Sequence, residues 1–140
     1  MSILLWISIQ ILSLQGSVHL LEQRIEERKK DLARLQQTAT KLTACKSDFV
    51  DKKSLCMQPE LGTTTWHGEL ATAFDNFRKE QLHVSYMAIP NEQMSATLGE
   101  LQREMKAIEE EIAGWERTVS SLQTNIDALF EQKREELTKG

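Results

Sequence analysis

Pro59-Glu60-Leu61-Gly62-Thr63-Thr64-Thr65-Trp66-His67-Gly68 is the stretch that decides the fold. One long helical pattern stops at its first residue and another starts at its last. Pro59 cannot continue a helix and restricts Gln58 ahead of it. Gly62 lets the chain turn, and Thr63, Thr64 and Thr65 are candidate N-caps for the next helix, with Glu69 near its positive end. The Trp66-x-Gly68 triplet is weak on its own: with three Trp and six Gly in 140 residues it is expected by chance in roughly one such chain in eight. Its position between two helical patterns gives it meaning.

On the N-terminal side, Leu4, Ile7, Ile11, Leu14, Val18, Leu21, Ile25, Arg28, Leu32, Leu35, Ala39, Leu42, Lys46 and Phe49 alternate steps of three and four without a break. That is a heptad seam, charged only at Arg28 and Lys46. Residues 1–14 carry no charged side chain. They lack the basic start and small-residue cleavage site of a signal peptide. The run is also shorter than the ~20 apolar residues of a membrane span. It reads instead as the start of helix one. Ile3, Leu5, Trp6, Ile9 and Leu12 add apolar surface off the seam, and a helix apolar all round is buried on more than one side. One antiparallel neighbour covers one stripe, so a second partner is implied.

On the C-terminal side, Leu70, Phe74, Phe77, Leu82, Val84 and Met87 give an apolar face, and Pro90 is expected to kink or break the helix. A fresh seam runs through Met94, Leu98, Leu101, Met105, Ile108, Ile112, Trp115, Val119, Leu122, Ile126 and Leu129. The expected fold is therefore all-α: a single domain over 1–140, an elongated antiparallel helical hairpin. Helix one covers about 2–57, the bend 58–65, and helix two about 66–137 with a kink near 86–91.

Aromatic residues make up 6% of the chain and charged residues 27%, a long-helix composition. The net charge of −4 is concentrated in the second half, which argues against nucleic acid and anionic lipid. Cys45 and Cys56 on one continuous helix would stand roughly 16 Å apart, beyond disulfide reach. They read as small packing residues in a reducing compartment. His19, His67 and His83 form no ligand pair, so neither a metal nor another cofactor is expected. Ser120-Ser121 and the cysteines lack a base and an orienting partner. No enzymatic activity is expected.

Helix, Trp-x-Gly bend and helix in a small acidic chain resemble the WXG superfamily of type VII secretion. The closer resemblance is to the YwqH-like family encoded beside LXG polymorphic toxins in Gram-positive bacteria. It is carried by Leu42-Thr43-Ala44-Cys45-Lys46, Pro59-Glu60-Leu61, Trp66-His67-Gly68 and Phe74-Asp75-Asn76-Phe77-Arg78. The resemblance implies a non-enzymatic accessory protein in a hetero-oligomer with an LXG-domain toxin and a second small helical WXG-like protein. It implies a cytoplasmic chain that is co-secreted or stays behind. The family's export motif, Tyr followed four residues later by Asp or Glu, is not met, because Tyr86 is followed there by Pro90.

The bend is thus expected at Pro59, Gly62, Trp66 and Gly68, with Trp66 closing it over both helices and Gly68 admitting a close backbone. The partner interface is expected at Ile3, Leu4, Leu5, Trp6, Ile7, Ile9, Ile11 and Leu12. Asp at Leu4, Ile7 and Ile11 is expected to break partner binding before it unfolds the hairpin. The alternatives are a self-associating coiled-coil scaffold and a helical protein anchored to a membrane through its apolar start.

Overall fold

The computed structural model describes residues 2–61 and 68–139. The fold is all-α, two long helices joined by a bend, with no strand among the described residues. Helix α1 spans Ile3–Asp51 and is followed by a 3-10 turn over Lys53–Met57. The second arm is α2 (Glu69–Phe77), a π turn (Arg78–Leu82), α3 (His83–Ala88), a second π turn (Ile89–Met94) and α4 (Ser95–Lys139). Ser2 caps α1, its hydroxyl accepting the Leu5 amide at 3.1 Å, as a serine before an apolar run is suited to do. Thr63, Thr64 and Thr65, the expected caps of the second arm, lie outside the described residues.

The chain forms two compact units, one from residues 1–34 with 105–140 and one from 35–104. In the first, α1 and α4 pack antiparallel. Ile7, Ile11, Val18 and Ile126 form its buried cluster, flanked by Leu14, Val119, Leu122 and Leu129. All of these are seam positions. Arg28, the charged seam position, reaches across to Glu111, with Nε to Oε1 at 3.2 Å, and also bonds Asp31 at 3.2 Å. These bonds, Glu111's first, raise the Arg28 pKa. An ion pair at a seam position specifies which residues of the two helices face each other.

The second unit is held differently. Lys46, the other charged seam position, donates to the Ser95 hydroxyl at 2.8 Å, and Ser95 donates to the Pro90 carbonyl at 3.0 Å. Tyr86 donates its hydroxyl to the Phe49 carbonyl at 2.7 Å, with the two rings 5.4 Å apart. Burial first, and the nearby Cys56 second, push the Tyr86 pKa up. Of the two free cysteines, Cys56 is buried and Cys45 is exposed, so only Cys56 packs as a small apolar residue.

Pro90 interrupts the α-helix through the second π turn. The ring removes one amide donor, and a π turn absorbs an extra residue without ending the helix. Here the interruption is an insertion rather than a gap, and the carbonyl of Pro90 is satisfied by Ser95.

The π turns change which residues face inward. From Ala71 the buried or half-buried line runs Asp75, Arg78, His83, Tyr86, Pro90 and Met94. The five-residue step from Arg78 to His83 coincides with the first π turn. The expected apolar face is the neighbouring one. Of its members Leu70, Phe74, Phe77, Leu82 and Val84 are exposed, Leu70 by 74%, while Met87 is half-buried. The expectation of an apolar buried face fails at two places. Within α2, before any π turn, the inward line runs through Ala71 and Asp75 to Arg78 rather than through Leu70, Phe74 and Phe77. Beyond Arg78 each π turn adds a residue that shifts a stripe phased by three and four.

Candidate interaction surface

Of the residues expected to form the bend, Gly62 and Trp66 lie outside the described residues. Pro59 is exposed and follows a cis peptide bond. Its carbonyl accepts a hydrogen bond from Arg78 Nη1 at 2.7 Å. Arg78 is only 2% exposed, pairs with Asp75 through Nη2 at 2.9 Å and lies 5.1 Å from the centre of the Phe74 ring. Its bond to Asp75, with Lys79 second, holds the Asp75 carboxyl below the usual carboxylate range. Among the described residues Arg78 is therefore the side chain that ties the Pro59 segment to the second arm. The residue type gives no warning, since arginine is almost never fully buried unless paired. The signal that could have found it is Asp75 at i−3 on the same helix.

Gly68 opens α2 with φ +103°, a backbone conformation that glycine adopts without a Cβ penalty. Among the described residues of the chain itself no backbone approaches it closely, since a Cβ there would meet nothing within 4 Å. Within the chain the glycine serves the conformation.

The expected partner interface divides in two. Ile7, 0% exposed, and Ile11 are in the core of the first unit, and Leu4 is half-buried. All three are seam residues, and Ile7 and Ile11 already pack in the cluster with Ile126 of α4. Asp at Ile7 or Ile11 would therefore unfold this unit along with any effect on binding, contrary to expectation. Ile3, Leu5, Trp6, Ile9 and Leu12 are exposed, Leu12 by 69%.

These exposed residues have their own order. Leu5, Ile9, Leu12, Gly16 and Leu20 repeat at steps of four, three, four and four. At 3.6 residues per turn this line lies roughly 170° round α1 from the buried seam. The off-seam apolar surface expected from the sequence stops at Leu12. In the structure the line continues to Leu20, which is also exposed. Fully burying a Leu or Ile side chain is worth about 1.5–3 kcal/mol, so covering the four apolar members would drive association. On one flank of the line, Leu12 itself, with Ser8 and Gln15 of α1 and Phe130 and Lys133 of α4, lines a shallow groove.

The exposed line of α1 is an uncovered apolar surface. It has no charged member between Ile3 and Leu21. Among the described residues, no three His, Cys, Asp or Glu side chains are grouped to hold a metal ion. By length and composition alone, the helical segment Ile3–Met57 contains a window apolar enough to cross a membrane, because the stretch without Asp, Glu, Lys or Arg runs past residue 14 to Leu21.

The model of the YwqH-like family matches residues 9–134, most of both arms. No curated protein and no solved structure matches the chain.

Proposed function

The chain belongs to the YwqH-like family, and on that premise we propose that it is a non-enzymatic accessory protein of a type VII secretion system. It bundles with the helical LXG domain of a toxin, together with a second small WXG-like protein, and aids the toxin's delivery. The observation that carries this reading is the uncovered apolar line on α1, opposite the face that α4 occupies. A helical partner laid along that line would complete a bundle by the same heptad packing that holds the hairpin. The chain acts from the cytoplasm and leaves with its partner or remains after export.

Tyr86 supports a composite export signal. Pro90 stands where an acidic residue would complete the motif, and the Tyr86 hydroxyl is engaged inside the fold. The signal is then supplied by another subunit or by the assembled complex.

Co-expression with the neighbouring toxin reading frame tests the reading. The toxin should co-purify with the wild-type chain. It should be lost from a Leu5→Asp/Ile9→Asp/Leu12→Asp variant whose circular dichroism is unchanged, because all three positions are exposed. A wild-type chain that retains no toxin sinks the proposal. A membrane-anchored reading has one observation in its favour, the apolar window of α1. It requires the purified chain to float with lipid vesicles in the absence of any toxin.

A further inference from the structure

We infer that the second π turn, Ile89–Met94, is a conformational latch closed by Lys46 of α1, and that the docking of α2 and α3 depends on it. The latch acts within the unit of residues 35–104, whether or not the chain serves secretion.

One hydroxyl in this molecule reaches a residue further than the others. Ser17, Thr40, Thr43, Thr97, Thr118 and Thr124 each donate to the carbonyl four residues back, the reach of an α-helix. Ser95 donates to the Pro90 carbonyl, five residues back, which is the spacing of a π turn. Its bond therefore belongs to the π state. In an α turn the carbonyl four residues back is that of Asn91.

Lys46 fixes the direction of that bond. An ammonium has donors and no acceptor. Lys46 Nζ donates to Ser95 Oγ at 2.8 Å, which leaves the hydroxyl hydrogen for the Pro90 carbonyl at 3.0 Å. The lysine does this from a half-buried seam position, where an apolar side chain is the ordinary choice.

Helical phase makes this bond matter at a distance. Tyr86 and Pro90 on one side of the turn and Met94, Leu98 and Leu101 on the other are all buried or half-buried. An α turn in place of the π turn would lack the inserted residue. With the α4 seam held, the helix upstream would then rotate by about 100°. Each inward position would pass to its C-terminal neighbour, Met87 replacing Tyr86 and Lys79 replacing Arg78. The Tyr86 hydroxyl would leave the Phe49 carbonyl, and Arg78 would leave the Pro59 carbonyl. Closed, the latch keeps all three ties in one phase. Open, it releases α2 and α3 together.

Hydrogen exchange of the full-length chain, read by mass spectrometry, tests the latch. Lys46→Met keeps the seam filled and removes the donor. It should speed exchange across 78–94 by roughly tenfold or more, as losing a hydrogen bond from a charged group does. Exchange in 1–34 and 105–140 should not change. Ser95→Ala should act alike, and the double variant no more than either alone. Deleting Asn91, which is exposed, removes the inserted residue and sets Ser95 four residues from Pro90, so that an α turn keeps the phase. That variant should fold with the circular dichroism of the wild type. Lys46→Met made within it should change exchange by less than about twofold. The inference is overturned if Lys46→Met leaves 78–94 protected, since Pro90 alone would then hold the turn. Additive effects of Lys46→Met and Ser95→Ala overturn it too, as does an equal effect of Lys46→Met with and without Asn91, because the lysine would then be an ordinary contact. An Asn91 deletion that does not fold also overturns it, because the inserted residue would not be what sets the phase.

Discussion

The two units of this hairpin differ in what they bury: the first buries aliphatic seam residues, the second Cys56, Ala71 and Pro90 with one arginine, Arg78. In the unit of residues 1–34 and 105–140 the core is Ile7, Ile11, Val18 and Ile126, and the seam of the sequence is the seam of the structure. In the unit of 35–104 the first turns of the second arm bury Ala71 and Arg78 and half-bury Asp75. Leu70, Phe74 and Phe77 face outward. Apolar content does not separate the two units. Helical phase does. Where every turn is α, a three-four stripe stays on one face. In the second arm the apolar stripe already lies one residue off the inward line within α2, and the π turns that follow shift the phase again. An apolar stripe next to a π turn is therefore a poor guide to the core.

The contrast is tested most severely at Arg78. Arg78→Ala removes the donor to the Pro59 carbonyl and the partner of Asp75. It should cost about 3 kcal/mol in urea unfolding, through the lost packing and hydrogen bonds of a buried side chain. Ile126→Ala in the other unit, where Ile126 is 1% exposed, should cost about 3 kcal/mol through lost burial and the cavity left behind. Similar losses from an arginine and an isoleucine would confirm that both units are cores, built from different chemistry.

A third change separates them by pH. Asp75 has its pKa depressed in the folded state, by Arg78 first and Lys79 second. Its contribution is complete above the ordinary carboxylate range and is lost as the pH falls through the depressed folded value. Asp75→Asn should therefore flatten the acid side of the stability profile, measured as melting temperature against pH. A profile unchanged by Asp75→Asn would mean that the ion pair contributes nothing to the second unit. The smallest effect belongs to Leu70→Ser. Despite replacing a leucine, it should shift unfolding by less than about 0.5 kcal/mol, since Leu70 is exposed.

Much of this is legible in the sequence. Every position of the α1 seam from Leu4 to Phe49 is buried or half-buried, as is every position of the α4 seam from Leu98 to Leu129. Heptad phase is a property of uninterrupted α-helix, and both helices supply it. The two charged seam positions are visible as exceptions, but their cross-helix partners, Glu111 and Ser95, are not. Partners across a hairpin depend on register, which one helix alone does not encode. Pro90 signals an interruption without saying that it is a π turn. The off-seam positions are legible: Leu5, Ile9 and Leu12 lie off the seam and are exposed. Ile7 and Ile11 are not, because adjacent seam and off-seam positions face opposite ways and the expected interface pools them. Trp66, the residue that marks the bend in the sequence, lies outside the described residues. Arg78 is the better-defined tie to that segment.

Ala71 and Phe77 between them decide whether helical phase, rather than apolar content, selects the core, since they lie on adjoining lines of one short helix. Ala71 is 4% exposed and Phe77 44%. The measurement is urea unfolding of Ala71→Asp beside Phe77→Asp. If phase selects the core, Ala71→Asp loses about 3 kcal/mol, because it buries an unpaired carboxylate, and Phe77→Asp loses less than about 1 kcal/mol. A larger loss at Phe77 than at Ala71 would return the apolar stripe to the core and contradict selection by phase.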